Sequence, residues 1–228
     1  MEVYDLKAKK TLFLFLAIIV IFCGLRAPIT EVGSLVSTIR DGLGLSSTSA
    51  GMLTTIPLIA FGIISVFVGH FSDRLGAGKV MLVGLLLLVA GIVLRTFAVA
   101  AGLFIGTAII GIGLAVGNVL IPAFIKAFFP EKVGTMTSAY TTSMSVFAGI
   151  SGGISVPLAK AYGWQLSLFI WIIPAATALL LWLPNRNTVL AVKAKRASKG
   201  GSIAKDSMTW LISLYIGVQS LLFYCFVA

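Results

Sequence analysis

The chain has 228 residues, 59% of them apolar and 11% charged, with a mean hydropathy of +1.09. A soluble domain averages about 45–50% apolar and about 25% charged, so a water-soluble domain, a disordered tail and a nucleic-acid-binding module are excluded despite a net charge of +10. Two cysteines and one histidine (Cys23, Cys225 and His70) supply neither a disulfide framework nor a metal cluster, and no cofactor is expected.

In chain order, seven stretches reach the length of about 20 predominantly apolar residues that a helix needs to cross the hydrocarbon layer. They are Thr11–Thr38, Ala50–Val68, Val80–Val99, Gly102–Phe128, Gly134–Leu158, Gln165–Leu183 and Met208–Ala228. A cleaved signal peptide competes for the first, because Lys7, Lys9 and Lys10 precede it. No small-residue cleavage site follows, and Arg26 and Pro28 come directly instead. The expectation is an all-α integral membrane protein.

With the N-terminus in the cytoplasm, 13 of the 17 basic residues fall on the inner side. These are the N-terminal lysines, Arg74, Lys79, Lys126, Lys132 and the basic residues of the 184–207 stretch. Arg40, Arg95 and Lys160 fall at outer ends, and Arg26 lies within a span. The asymmetry predicts a multi-pass protein of the cell membrane with a cytoplasmic N-terminus; its partner is the lipid bilayer, not nucleic acid. Residues 1–183 read as a six-helix bundle, 184–207 as a basic cytoplasmic linker and 208–228 as a seventh span. Within the linker, Thr188–Ala197 suits a short surface helix or a loop equally. Six spans, a basic linker and a seventh span look like one half of a two-half transporter with the start of the second.

Arg26 is the leading site candidate. It lies about 21 Å along a helix that enters the core at Leu12, a little past the midplane. An arginine there costs at least a few kcal/mol unless it faces a water-filled cavity or a partner. Its planar fork suits a small anion or a polar planar solute. Pairing with Glu31 or snorkelling outward is the alternative, the pairing being disfavoured because five residues turn a helix through about 500°. Pro28 frees the carbonyl of Gly24 and Pro122 that of Asn118; such irregular backbone at depth lines a cavity or is buried in protein. Asn118 and Gln219, both near mid-depth, join Arg26 as candidate substrate contacts, with interhelical hydrogen bonding as the alternative for each. Thr30, Tyr140 and Thr142 are further lining candidates. Gly113 and Gly117, with Gly149, Gly152 and Gly153, suit close helix packing. His70, Arg95 and Lys160 are expected at membrane–water interfaces, and the two cysteines as apolar fillers.

The stretch Gly69-His-Phe-Ser-Asp73-Arg74-Leu-Gly76-Ala-Gly78-Lys79 resembles the loop between helices two and three of the major facilitator superfamily. In this reading Gly69 and Gly76 permit the tight turn, Asp73 faces a helix N-terminus, and Arg74 and Lys79 hold the loop at the inner surface. That family places a basic residue where Gly78 stands. Leu25–Gly33, Gly111–Pro122 with Phe129-Pro130, Gly217–Tyr224, Tyr140-Thr-Thr, and Pro157-Leu-Ala with Gly163-Trp164 resemble a narrower branch, the cyanate and nitroimidazole transporter family. The resemblance implies the N-terminal six-helix bundle of a major facilitator fold (two three-helix repeats) plus one further helix, with a C-terminal half of the same protein missing. It also implies secondary transport of a small solute, such as cyanate or a small planar heterocycle, by alternating access, with room for a coupling ion. Three departures stand out: Thr107 where many proton-coupled members carry arginine, no Gly-Pro pair in span five, and Glu31 where a small residue is expected. An exporter of unrelated drugs and a non-transporting assembly or sensor protein are the competing readings. An enzyme is not expected, since the spans contain no histidine or aspartate.

Overall fold

The computed structural model describes residues 2–97 and 99–189, and residues 207, 208, 210, 211, 214, 215 and 217–219 of the C-terminal stretch, with side chains from residue 17 onward, those of 22 and 23 excepted. The chain divides into two units, Met1–Leu190 and Ala191–Ala228. In the second unit the described residues are helical and exposed, Gln219 among them. Most of the predicted seventh span, most of the Thr188–Ala197 segment, and both cysteine side chains lie outside the described residues. Thr188 and Val189 themselves are not helical.

The first unit is all helical. Helices α1 (Glu2–Leu43), α2 (Ser47–Leu75), α3 (Ala77–Arg95), α4 (Ala100–Phe128) and α5 (Val133–Tyr162) are followed by α6 (Trp164–Phe169) and α7 (Ile172–Trp182), which together make a sixth span, Trp164–Asn185. Among the described residues, six segments are thus long and apolar enough to cross a membrane. The sixth is interrupted at Ile170 and Trp171. Pro174 explains the break, because it cannot donate to the carbonyl of Ile170 and its ring crowds that carbonyl. Exposed apolar side chains such as Ile63, Val66, Val83, Ile173 and Leu180 form the outer surface, as a lipid-facing surface requires.

Helix α1 packs on α5 and α2 on α4, while α3 meets both α4 and the sixth span. When the first three helices are exchanged with the last three, α1–α5 becomes α4–α2, α3–α4 becomes the contact of the sixth span with α1, and the pairing of α3 with the sixth span maps onto itself. Two turns obey the same exchange. Gly76 alone joins α2 to α3 (φ 89°, ψ 133°), and Gly163 alone joins α5 to α6 (φ 89°, ψ 154°). Each takes positive φ, open to glycine at little cost. The bundle therefore consists of two three-helix repeats, as expected.

Small residues set the helix spacing. A β-carbon on Gly91 would lie 2.8 Å from the Gly106 carbonyl, one on Gly106 2.6 Å from the Arg95 nitrogen, and one on Gly113 2.7 Å from the Gly84 carbonyl. These contacts bind α3 to α4, and Gly111 sits directly against the Pro57 backbone of α2. By contrast, Gly149 and Gly153 of α5 face open space within 4 Å, so these two do not provide the close packing read from the sequence.

The Gly69–Lys79 stretch differs from its expected loop form. Helix α2 continues through Leu75, so Gly69, Asp73 and Arg74 are helical, and the turn rests on Gly76 alone. Gly69 has open space beside it and supports neither a turn nor a close approach. Asp73, Arg74 and Lys79 are exposed. Gly78, where the resemblance expects a basic residue, is buried under the chain that leaves the sixth span. Its N–H donates to the Thr188 carbonyl (2.9 Å), and its carbonyl accepts from the Trp182 indole (3.0 Å). A β-carbon there would strike the backbone of Asn185, Arg186 and Thr188.

Candidate functional site

Four contacts of α1 define where Arg26 points. Leu25 meets α4, where a β-carbon on Gly117 would lie 2.5 Å from Leu25 Cδ1. Gly24 faces Ala175 of α7, where a β-carbon on the glycine would lie 3.3 Å from the Ala175 backbone. On the α5 side, the Ser151 hydroxyl donates to the Ala27 carbonyl (3.0 Å) and pairs with the Thr30 hydroxyl (3.1 Å). Pro28 and Glu31 face Arg95 of α3. At about 100° of rotation per residue, these contacts leave one sector of α1, between α4 and α5, that the four contacts among the described residues do not occupy. Ile19, Arg26, Ile29, Gly33 and Ser37 share that sector, and all are half-buried or exposed.

Asn118 follows Gly117 on α4, and three short turns reverse the chain between α1 and α4, so the two helices run in opposite directions. One step beyond a shared contact on antiparallel helices turns both side chains to the same side. Arg26 and Asn118 therefore leave the Leu25–Gly117 contact together, at one depth, on the face flanked by α2 and α5. Asn118 is half-buried, and its amide donates to the Leu114 carbonyl (2.9 Å). The arrangement offers a guanidinium fork beside a carboxamide, a pair suited to a small anion or a planar polar solute.

The other candidates are placed differently. Thr30 is buried, one turn beyond Arg26, and its hydroxyl is held by Ser151 and the Ala27 carbonyl (3.3 Å) in the α1–α5 seam. Tyr140 is half-buried, on the face of α5 that carries Ser151, but eleven residues away, about 16 Å closer to the end bearing Arg74 and Lys132. Gln219 belongs to the second unit.

Arg95 corrects the sequence reading most. Expected at an interface, it is fully buried and closes the back of the bundle between α1, α3 and α6. Its guanidinium donates to the Pro28 carbonyl (2.7 Å), the Leu168 carbonyl (3.2 Å) and Glu31 Oε1. Glu31 thus pairs with Arg95, one helix away, on the side of α1 opposite Arg26. Arg95 Nε, Glu31 Oε2 and Trp171 Nε1 are buried without hydrogen-bond partners. The Trp171 indole adjoins the same carboxylate without reaching bonding geometry. The one sequence signal was Glu31, a carboxylate inside a span, which calls for a cationic partner. His70 and Lys160 are exposed. Among the described residues no His, Cys, Asp and Glu cluster could hold a metal.

Residues 11–228 match the sequence pattern of the Major Facilitator Superfamily. The chain is 39% identical over 224 residues to an uncharacterized transporter, YycB, of Bacillus subtilis (strain 168), covering 97% of this chain and 56% of that one. It is 36% identical to the 2-nitroimidazole transporter of Escherichia coli (strain K12), covering 96% and 57%, and 21% identical to the cyanate transport protein CynX of the same organism, covering 90% and 54%. The chain spans little more than half the length of these relatives. Among solved structures, tetrameric PepTSo2 superposes with a TM-score of 0.65 at 16% identity, over 96% of this chain and 49% of that one. That likeness concerns the fold alone.

Proposed function

The chain belongs to the Major Facilitator Superfamily, and on that premise we propose that it forms the N-terminal half, with the first helix of the second half, of a secondary transporter for a small solute. The cargo is a small anion such as cyanate or a small planar heterocycle, carried by alternating access across the cell membrane with the N-terminus in the cytoplasm. The observation that carries this reading is the pairing of Arg26 and Asn118 at one depth on the uncovered face of α1 and α4. The relatives named for 2-nitroimidazole and cyanate support the class of cargo, since both solutes are small, flat and polar. In this reading Arg26 grips the cargo and Asn118 orients it. Thr30 fixes α1 against α5 behind them, Tyr140 lines the path toward the basic end, and Gln219 is a separate candidate contact in the second unit. The Asp73, Arg74, Gly76 and Lys79 group governs the conformational change at the basic end, with Gly69 as part of its helix. A coupling ion, if one is used, binds in the same cavity or in the second half.

The test is counterflow of radiolabelled cyanate and of 2-nitroimidazole in vesicles containing the complete transporter. Arg26→Ala lowers exchange to background while insertion is unchanged, and Arg26→Lys retains a minor fraction because an ammonium cannot form the planar fork. Unchanged exchange in Arg26→Ala removes Arg26 from the site. Failure of both probes with the native chain, while a larger drug is carried, favours the drug exporter instead.

A further inference from the structure

The buried pair behind α1 acts on the part of the helix that carries Arg26. Pro28 has no N–H to give to the Gly24 carbonyl, so the hydrogen-bond ladder of α1 is weakest across residues 24–28. Below the gap, Gly24 and Leu25 are held by Ala175 and Gly117. Beyond it, the grip on the back of the helix comes from Arg95, which bonds the Pro28 carbonyl and the Glu31 carboxylate one turn apart. Arg26 lies between the two grips.

Arg95 is itself fixed. Its backbone lies against Gly106 of α4, where a β-carbon would come within 2.6 Å of its nitrogen, and its guanidinium also holds the Leu168 carbonyl of α6. A single side chain therefore ties the outer half of α1 to α3 and α6, all on the side away from the uncovered face. A pair removed from water is weak evidence of stabilisation, since apolar replacements of such pairs are often neutral or better. Geometry is what a guanidinium fork on three acceptors supplies.

We propose that Arg95, acting with Glu31, is the positioning residue of the Arg26 site: it sets the angle of α1 across the Pro28 gap and thereby where Arg26 stands on the face it shares with Asn118. The proposal rests on the reading of Arg26 as a cargo-binding residue for its consequence, but its geometric content is independent of any substrate.

The test places a single cysteine at Arg26 or at Ile19, in a chain carrying Cys23→Ala and Cys225→Ala, in lipid vesicles. Ile19 shares the uncovered sector but lies below the gap. The rate of labelling by a charged, water-soluble thiol reagent is compared with Glu31 and Arg95 intact and with Glu31→Gln/Arg95→Gln, which removes both charges together. The expected result is a change of about tenfold at Arg26→Cys and less than about twofold at Ile19→Cys, because a displacement of an ångström is enough to misplace a binding group. Arg95→Lys keeps the charge for Glu31 but cannot span three acceptors, and gives an intermediate change at Arg26→Cys. With Arg26 native, the double variant raises KM for the transported probe, cyanate or 2-nitroimidazole, by about tenfold with a smaller change in maximal rate. Equal labelling changes at both positions indicate general loosening and overturn the proposal, as does no change at either. If neither probe is transported by the native chain, the function proposed above fails while the labelling result still decides the positioning role.

Discussion

The two arginines on either side of α1 have opposite surroundings. Arg95 is sealed behind the helix by two backbone carbonyls, a carboxylate and the Gly106 contact. Arg26 is half-buried in the sector between α4 and α5 that no described helix covers. The same chemical group thus serves as an anchor in one place and as a candidate ligand-binding group in the other. What distinguishes them is the direction in which each helix presents its side chain, not how apolar the surrounding sequence is. In a lipid-embedded bundle, an arginine marks a site only once its sector is known.

Variants that act on one side alone sharpen this contrast. The largest effect is expected from overpacking the closed side. Gly106→Leu forces a side chain into the Arg95 backbone and costs about 3 kcal/mol, the upper end for overpacking, read as loss of a monodisperse, thermally stable protein. Gly153→Leu on the open face of α5, with nothing within 4 Å, leaves thermal stability nearly unchanged. Equal destabilisation by the two contradicts the division into closed and open faces.

A smaller, local effect is expected at Gly78. In Gly78→Val the added carbons displace the Asn185–Thr188 backbone, and tryptic cleavage after Arg186 accelerates about tenfold, because local opening controls such cleavage. An unchanged rate means that the docking does not protect this segment. The smallest effect belongs to the α1–α5 seam. Ser151→Ala removes the hydrogen bonds to Thr30 and the Ala27 carbonyl and lowers unfolding stability in mixed micelles by about 0.6 kcal/mol, the average for such interhelical bonds. A loss several times larger points to a central role for that seam.

Much of this was legible from the chain alone. Length and hydropathy locate the first six spans because the bilayer sets one scale for all of them; the structure moves most of their ends by up to five residues, but extends the first helix back to Glu2 and the second on to Leu75. Arg26 was legible because a mid-span arginine needs shelter, and Asn118 because Pro122 marks irregular backbone in the same helix turn. Arg95 was not, because the last residue of an apolar run reads as interfacial until Pro28, Glu31 and Leu168 are folded around it. The absence of a basic residue at position 78 read as a departure from a pattern. Its physical reason lies more than a hundred residues later, in backbone that folds onto the glycine. Periodicity could not supply the sector of α1 left open, since that depends on which neighbours α1 meets at Gly24, Leu25, Ala27 and Pro28.

The central claim is that water reaches Arg26 and Asn118 from one shared face while the back of the bundle stays dry. Labelling of single cysteines by a charged, membrane-impermeant thiol reagent in vesicles tests it most directly. Arg26→Cys and Asn118→Cys should both react, and Ser167→Cys, at a fully buried position of α6, should stay inert. A reactive Ser167→Cys beside an inert Arg26→Cys would contradict the account.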